Sequence, residues 1–451
     1  MNSPRLLFAA PASGSGKTTV VCGLLRLLKN RGRAVRAFKC GPDFIDPLFH
    51  EKVVGVPSGT LDLFFSPEDQ LKRLFCRRGS GAELCLIEGV MGYYDGLGAA
   101  TDRASSYEVA RALDAPVVLI VDSRGQSLSA LATLAGFLRF RSDSRIRGVL
   151  FNRMSEGVYE ALKPEVEQLG VKPLGFVPRA PELMIKSRHL GLITPGEIED
   201  LEQKLDALAA LLEQTVDIDG LLALAAEAPA LDAPPAPPIP AMSPTKIAVA
   251  RDEAFCFLYR DNLDLLRDYG AQIAFFSPLH DTALPEGVRG LILPGGYPEL
   301  YARKLSENAP LRTAVRTAIQ KGLPCLAECG GFLYLHRELE DMEGTFWPMA
   351  GVLDARAYRT KKLGRFGYIT LTAHGDTAFL PAGEPIRGHE FHYYESEDCG
   401  DILHAQKPTG GRSWDCGHSR NDLLMGFPHL YYPSNPRLIE RFLRRCAEKE
   451  V

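Results

Sequence analysis

Residues 5–19 read RLLFAAPASGSGKTT, an apolar run followed by a loop rich in glycine and serine. In such loops, glycines let successive backbone N–H groups face a phosphate, a lysine reaches the terminal phosphates and a threonine hydroxyl ligates Mg²⁺. Pro11 replaces the usual first glycine, so the loop is a variant of the pattern. The segment predicts a nucleotide site, and the residues expected to bind the phosphates are Ser13, Gly14, Ser15, Gly16, Lys17, Thr18 and Thr19.

Polar side chains follow the ends of several predicted strands in the same part of the chain. Asp43 and Asp46 lie in a turn-rich segment after one strand, Glu88 follows another, and Asn152 ends a later one. Alternating strands and helices are typical of a parallel sheet with helices on both faces, where ligands bind at the carboxyl ends of the strands. Glu88 is therefore a candidate second ligand for Mg²⁺.

A second reactive group lies in the last third of the chain. Cys329 follows a strand predicted at 323–327 and precedes a helix predicted at 333–339. A cysteine on a tight strand-to-helix turn is expected to be exposed, and the helix N-terminus favours its thiolate. Such a nucleophile needs oxyanion donors, for which we predict the backbone amides of Gly295, Gly296 and Gly330, and a base. Spacing alone does not choose the base among His389, His392 and His429.

The elements that must position these residues form two successive α/β patterns. A helical stretch at 196–228 ends the first pattern, and a segment follows in which seven of seventeen residues are proline. Proline-rich sequence stays extended and semi-rigid, so it is typical of a linker. We predict a phosphate-loop domain at 1–227, a linker at 228–244 and a second α/β domain at 245–451.

Composition narrows the function classes further. The chain of 451 residues is 45% hydrophobic and 24% charged, and its formal net charge of −4 gives no basic surface for nucleic acid. It has no signal sequence and no apolar run of about 18 residues or more, so we expect a cytoplasmic protein that does not cross a membrane. Its ten cysteines lack paired metal-binding spacings and are expected to be reduced thiols.

Six motifs in this order resemble the cobyrinate a,c-diamide synthase family, the glutamine-dependent amidating enzymes of corrinoid biosynthesis. The N-terminal half is similar to the dethiobiotin-synthetase type of phosphate-loop domain, and the C-terminal half to class I glutamine amidotransferases of the cobyric-acid-synthase-like branch. The motifs are SGSGKTT at 13–19, KCGPDFIDPLFH at 39–50, EGVMGYYDG at 88–96, LPGGYPE at 293–299, ECGGFLYL at 328–335 and GHEFHYYES at 388–396.

The resemblance implies roles for individual residues. Cys329 matches the nucleophile that takes the γ-glutamyl group of glutamine and releases ammonia, and His429 matches the histidine that activates it. Many class I enzymes have a glutamate two residues after that histidine, where this chain has Tyr431. The resemblance further implies an adenine-contacting role for Asn152, Mg²⁺ ligation by Thr18, and roles in metal binding or in handling a phosphorylated intermediate for Asp43, Asp46, Glu88 and Asp95.

The implied partners are ATP with Mg²⁺, L-glutamine and a tetrapyrrole polycarboxylate, and a homodimer is compatible with the sequence. A basic run would suit the carboxylates of the tetrapyrrole or would form a solvated hairpin: Arg356, Arg359, Lys361, Lys362 and Arg365.

Two alternative functions stay open. The same reaction could act on hydrogenobyrinate or nickel-sirohydrochlorin, or the chain could be a regulatory ATPase fused to an inactive amidotransferase-like binding domain.

Overall fold

The computed structural model describes residues 3–183, 185, 195–240 and 242–449. It divides into two compact units, Met1–Ala236 and Pro237–Val451, and the division lies inside the segment predicted as a linker. Both units combine helices with a largely parallel sheet, which confirms the predicted α/β class. Among the described helices, none is both long enough and apolar enough to cross a bilayer.

Among the described residues of the first unit, seven strands form one parallel sheet. The strands are β1 (Arg5–Ala9), β2 (Val35–Cys40), β3 (Ser58–Leu61), β4 (Leu84–Glu88), β5 (Val117–Asp122), β6 (Ile146–Asn152) and β7 (Lys172–Val177), in the spatial order β3-β2-β4-β1-β5-β6-β7. The helices are α1 (Lys17–Asn30), α2 (Ile45–Phe49), α3 (Glu68–Gly79), α4 (Ser106–Ala112), α5 (Ser129–Phe140), α6 (Glu156–Gln168), α7 (Pro195–Thr215) and α8 (Ile218–Ala226).

Strand β1 lies in the middle of this sheet and is apolar on both faces. Leu6 and Phe8 belong to the core beneath α1, α7 and α8, whereas Leu7 and Ala9 belong to the core on the opposite face. Side chains alternate along a strand, so an unbroken apolar run is expected where both faces are covered by helices. The phosphate loop therefore begins at the end of a fully buried central strand.

The part of the second unit that the structure describes forms three sheets. Its strands are β8 (Thr245–Ala250), β9 (Ala271–Phe276), β10 (Gly290–Leu293), β11 (Cys325–Glu328), β12 (His336–Glu340), β13 (Phe346–Pro348), β14 (Leu353–Arg359), β15 (Arg365–Ala373), β16 (Pro385–His392), β17 (Tyr394–Ser396), β18 (Leu403–Gln406), β19 (Ser413–Cys416), β20 (His418–Arg420), β21 (Leu423–Gly426) and β22 (His429–Leu430). Its helices are α9 (Arg260–Asp268), α10 (Ala302–Glu307), α11 (Ala309–Gln320), α12 (Gly330–Leu335) and α13 (Pro436–Glu448).

The central sheet of this unit has the order β20-β21-β11-β10-β8-β9, and it is parallel except at its β20 edge. Smaller sheets are formed by β13-β12-β14-β17 and by the antiparallel set β19-β18-β15-β16-β22. Strand β11 lies inside the central sheet between β10 and β21. The turn that follows β11 is therefore held by parallel neighbours on both sides.

The helical stretch predicted at 196–228 is interrupted in the structure. Helix α7 ends at Thr215, and Val216 forms a β-bridge with Gly175. The backbone N–H of Asp217 then donates to the carbonyl of Leu174, and its side chain caps α8 by accepting from Gly220. The break arises because an aspartate favours the cap of a new helix over the interior of an old one.

The helix predicted at 333–339 is also shorter than expected, because α12 ends at Leu335. His336 adopts an extended conformation and starts β12. Its buried ring bonds the carbonyl of Phe332 at 2.8 Å and the hydroxyl of Ser396 at 2.7 Å. Along β12 only His336 and Leu339 are buried, and this spacing of three residues is why the sequence pattern did not separate the strand from a helix.

Candidate active sites

The phosphate loop occupies the turn between β1 and α1. Gly14 and Gly16 have φ angles of 77° and 93°, in the left-handed region that favours glycine. A Cβ placed on Gly16 would lie 2.2 Å from Nδ2 of Asn152, so a larger residue would displace that side chain and strain the backbone. The Asn152 side-chain amide donates to the carbonyl of Ser15 at 2.9 Å and thereby braces the loop. Its predicted contact with adenine stays a prediction.

Lys17 begins helix α1 with a buried side chain. Its Nζ donates to the carbonyl of Ala12 at 3.2 Å and to that of Met91 at 2.5 Å. Burial, and then the neighbouring Lys39 ammonium, lower the pKa of Lys17 to about 8. An ammonium held between two loops at a helix N-terminus is available to a phosphate bound there.

Glu88 is the fully buried last residue of β4, and it lies at the centre of the polar groups. Its Oε1 accepts from the hydroxyl of Thr18 at 2.6 Å and from Nζ of Lys39 at 2.7 Å. Lys39 also contacts Oδ2 of Asp46 at 2.5 Å. Burial alone would raise the pKa of Glu88, but the nearby Lys39 and His50 lower it to about 2. Thr18 and Glu88 thus present oxygen donors of the kind that Mg²⁺ prefers.

The other predicted acids differ from Glu88 in their contacts. Asp43 Oδ1 accepts from the backbone amides of Ile45 and Asp46, at 2.8 and 3.3 Å. Asp95 Oδ2 accepts from the amide of Gly92 at 2.8 Å. In the structure, therefore, Asp43 and Asp95 shape their turns, whereas Asp46 joins the ion pairs around Lys39.

Sequence reasoning missed two members of this cluster, Lys39 and His50. Lys39 ends up between two carboxylates, and His50 Nε2 lies 3.4 Å from Oε2 of Glu88 with its side chain fully buried. The two residues are the first and the last of the KCGPDFIDPLFH motif, in which only the acidic positions were predicted as site residues. A lysine and a histidine flanking paired aspartates were the available signal.

A cavity of about 480 Å³ opens beside the phosphate loop, beyond the ends of β5 and β6. Ser123, Gln126 and Arg153 contribute to its polar wall. The Arg153 guanidinium joins the cavity to the loop, since it contacts Asp122 at 2.6 Å and the carbonyl of Gly14 at 3.5 Å. The cavity therefore has both the size and the position for a part of a nucleotide beyond its phosphates.

Cys329 occupies the turn between β11 and α12 in the second unit. Its φ of 44° is unusual for a residue other than glycine, and strain of this kind concentrates at functional turns. The prediction that its geometry exposes it is wrong, because only 5% of the residue is accessible. Burial raises the pKa of the thiol, so the six-residue helix α12 does not leave a free thiolate.

Close packing against side chains and backbone explains the three glycines around Cys329. A Cβ on Gly295 would lie 2.2 Å from Cε1 of His429 and 3.4 Å from Cβ of Cys329. A Cβ on Gly330 would lie 2.8 Å from the backbone nitrogen of Gly296. The structure therefore brings Gly295, Gly296 and Gly330 together at the cysteine, although their use as oxyanion donors stays a prediction.

Among the three candidate bases, His429 is the one that flanks Gly295 together with Cys329. His389 stacks on His429 with ring centroids 4.9 Å apart and bonds the hydroxyl of Tyr259. His392 is held by Glu390 and by the carbonyl of Tyr394. Burial, and then the neighbouring His389 and His392, lower the pKa of His429 well below its usual value. A neutral imidazole is the form that can accept a thiol proton.

Glu328, directly before the cysteine, fixes the chain around His429. Its buried carboxylate accepts from the backbone amide of Leu430 at 3.2 Å and from the hydroxyl of Tyr432 at 2.7 Å. Burial raises the pKa of Glu328 to about 8. Tyr431, at the place of the missing triad glutamate, instead donates to Asp261 at 3.0 Å. Sequence reasoning missed Glu328, and its position next to the nucleophile was the only signal.

Family models match both parts of the chain. Residues 6–192 match a CobQ/CobB/MinD/ParA nucleotide binding domain, and residues 246–416 match a CobB/CobQ-like glutamine amidotransferase domain. A nucleotide-binding domain joined to a glutamine amidotransferase domain defines a glutamine-dependent amide ligase, and this confirms the predicted enzyme class.

Curated relatives resemble the chain over nearly its full length. A cobyrinate a,c-diamide synthase of Salmonella typhimurium is 40% identical and covers 97% of each chain. Those of Caldanaerobacter subterraneus and Synechococcus are 38% and 39% identical and cover 98% of each chain. The chain therefore belongs to the cobyrinate a,c-diamide synthase family, as the sequence motifs predicted.

Proposed function

We propose that this protein amidates the a and c carboxylates of cobyrinate, with ATP as the energy source and glutamine as the nitrogen donor. One observation carries the proposal. A single chain, similar over 98% of its length to proteins named for this reaction, contains both a phosphate loop with a buried carboxylate and a buried cysteine beside a histidine. The first arrangement suits phosphoryl transfer, and the second suits release of ammonia from glutamine.

The first unit would activate the carboxylate. A carboxylate accepts ammonia poorly because hydroxide would have to leave, so ATP first converts it to an acyl phosphate. Mg²⁺ would be held by Thr18 and Glu88, with Asp43 as a third ligand, and would offset charge on the phosphoryl group. Lys17 adds a second positive charge at the same loop. Asp46 and Asp95 would serve the phosphorylated intermediate.

The second unit would supply the ammonia. The Cys329 sulfur attacks the side-chain carbonyl carbon of glutamine while His429 accepts the thiol proton. His429 then gives that proton to the departing nitrogen, which leaves as ammonia, and water later hydrolyses the thioester to glutamate. The amides of Gly295, Gly296 and Gly330 would stabilise the oxyanion, and their close packing at the cysteine supports this role.

The basic run gives limited support for tetrapyrrole binding. Arg356 pairs with Glu338 at 2.6 Å, and Arg365 lies over the Trp414 ring, so part of the run is already engaged within the protein. Lys361 and Lys362 are exposed in the turn after β14. We therefore propose these two lysines as the first cations to test against the substrate carboxylates.

Product analysis with defined substrates tests the proposal. The full-length enzyme is incubated with glutamine, ATP and Mg²⁺, and with cobyrinate, hydrogenobyrinate or nickel-sirohydrochlorin in separate reactions. We expect mass spectrometry to detect two amidations of cobyrinate, each accompanied by one ADP and one glutamate. A matched reaction with ammonium in place of glutamine should give the same corrinoid product.

The other outcomes are equally definite. If only hydrogenobyrinate or only nickel-sirohydrochlorin is amidated, that compound is the substrate, and the proposed chemistry is unchanged. Hydrolysis of ATP without amide product, and without glutamate from glutamine, would contradict the ligase assignment and support a regulatory ATPase with a binding domain.

A further inference from the structure

Two histidines and an aspartate meet at one edge of the antiparallel sheet in the second unit. His404 on β18 is the direct cross-strand partner of Asp415 on β19 and, on its other side, of Thr372 on β15. His374 follows β15 immediately, and its backbone N–H donates to the carbonyl of Ile402 at 2.9 Å. Three neighbouring strands therefore hold the three side chains together.

Their donor atoms converge on a single point. Oδ1 of Asp415 lies 2.9 Å from Nε2 of His374 and 2.8 Å from Nδ1 of His404, and all three ligand atoms lie within 4.8 Å of one another. A Zn–N distance of about 2.0–2.1 Å places tetrahedral ligand atoms about 3.3 Å apart. To reach that spacing, the two nitrogen–oxygen contacts would lengthen by about 0.4–0.5 Å, and side-chain rotation would adjust the two ring nitrogens, which lie within 4.8 Å of each other.

Charge and access also suit a metal. An aspartate is ordinarily ionised at neutral pH, which is the form that a metal ligand needs. The side chains of His374 and Asp415 are about half exposed, so an ion can arrive from solvent without unfolding the sheet. Imidazole with carboxylate is a donor set for zinc-like transition ions, whereas Mg²⁺ and Ca²⁺ prefer oxygen alone.

We propose that His374, His404 and Asp415 form a binding site for a divalent transition metal ion such as Zn²⁺. The site has three protein ligands and a fourth position open to solvent. It is separate from the residues proposed to bind Mg²⁺, and no second cluster of this kind occurs within the described parts of the chain. A bound ion would clip β15, β18 and β19 together and stabilise the second unit.

Calorimetric titration of the untagged, full-length protein with Zn²⁺, in excess Mg²⁺, tests the site. The wild type should bind one equivalent that both His404→Ala and Asp415→Asn weaken at least tenfold. His280→Ala is the matched control, because His280 is an equally exposed histidine beside one carboxylate, Glu253. This variant should bind Zn²⁺ like the wild type.

Thermal unfolding with and without Zn²⁺ gives a second readout. A ligand that binds only the folded state stabilises it, so Zn²⁺ should raise the Tm of the wild type and of His280→Ala but not of the two site variants. Equal Tm values of all four proteins in EDTA would show that each variant is folded. If His404→Ala is unstable, His374→Gln replaces it. Unchanged Zn²⁺ binding in the site variants, or equal loss in His280→Ala, would overturn the proposal.

Discussion

The two candidate sites of this protein are both buried, but one contains charged side chains and the other contains neutral ones. In the phosphate-loop site, Lys39 lies against Glu88 and Asp46, so burial is offset by ion pairs. In the amidotransferase site, burial raises the pKa of Cys329 and lowers that of His429, so both groups rest in their neutral forms. One site holds the Lys39–Glu88 ion pair, and the other holds a neutral thiol and imidazole.

The difference follows the chemistry that each site has to perform. A site that binds a highly charged nucleotide gains from fixed charges that need no rearrangement when the ligand arrives. A cysteine nucleophile needs its negative charge only while it attacks, so a neutral thiol beside a neutral imidazole is a sufficient resting state. The comparison therefore predicts that substitutions in the two sites separate the two half-reactions.

The largest effect is expected from Cys329→Ala. Without the sulfur no thioester forms, so glutamine-dependent amidation should fall by at least about 10⁴-fold. Amidation with high ammonium should stay within about twofold of the wild type, because the first unit is untouched. Steady-state rates with each nitrogen donor measure both quantities.

Cys325→Ala provides the matched control for that experiment. Cys325 is a fully buried thiol at the start of the same strand, β11, so its loss tests packing without removing the nucleophile. It should keep glutamine-dependent activity. Equal loss with glutamine and with ammonium in Cys329→Ala would break the separation between the two sites.

The next effect in size concerns the charged site. Lys17→Ala and Glu88→Gln should each lower amidation by about 10²–10³-fold with either nitrogen donor, since each removes a charge that acts in phosphoryl transfer. Hydrolysis of glutamine to glutamate should continue in both variants. A Lys17→Ala enzyme with full ligase activity would contradict the nucleotide assignment.

A smaller effect is expected at Glu328, which links β11 to β22 beside Cys329 and His429. Glu328→Gln keeps the side-chain volume but weakens one of the hydrogen bonds to Leu430 and Tyr432. A net loss of about 1 kcal/mol corresponds to a roughly fivefold lower glutaminase kcat. Tyr432→Phe removes one donor and keeps the carboxylate. It should give a similar loss, whereas the ammonium-dependent rate should not change.

Glu328→Gln should also change how the free energy of unfolding depends on pH. Burial raises the pKa of Glu328 to about 8, so the folded protein keeps this proton at pH values where the unfolded chain has lost it. Its contribution to the free energy of unfolding is complete below about pH 4.5 and decreases as the pH rises to about 8. In Glu328→Gln this decrease should be absent. An identical pH dependence in both proteins would mean that Glu328 ionises normally.

The reactive residues themselves were predictable because each motif encodes its own turn. Gly14, Gly16 and Lys17 lie within four consecutive positions, and Cys329 is recognisable from the two glycines that directly follow it. The partners of these residues were not predictable in the same way. Lys39 meets Glu88 across 49 positions because β2 and β4 are neighbours in the sheet, and local patterns do not fix strand order.

Burial was the other property that the sequence left open. The turn at Cys329 suggests exposure when it is considered alone, but Gly295 from the β10 turn and His429 from β22 lie against it. Glu328 likewise reaches Leu430 across 102 positions. A turn can be predicted from its own residues, whereas what covers it depends on the rest of the fold.

The smallest expected effect is an absence of change with pH at the neutral site. Because kcat/KM reports the free enzyme, its acid limb marks the pKa of the base. Burial and the neighbouring histidines lower the pKa of His429, so protonation should not remove the base until well below pH 6.5.

We expect glutaminase kcat/KM to stay level between pH 6 and 7.5, where His389, with a pKa of about 3, also remains neutral. The ammonium-dependent reaction should instead accelerate over that range as free ammonia increases. Measuring the double variant Glu299→Gln/Glu328→Gln in parallel removes the two carboxyls close to Cys329 whose pKa values, about 7 and about 8, lie in or near this window. A fall in glutaminase kcat/KM centred near pH 6.5 in both enzymes would show that His429 titrates as an ordinary imidazole, and the contrast between a charged and a neutral site would then fail.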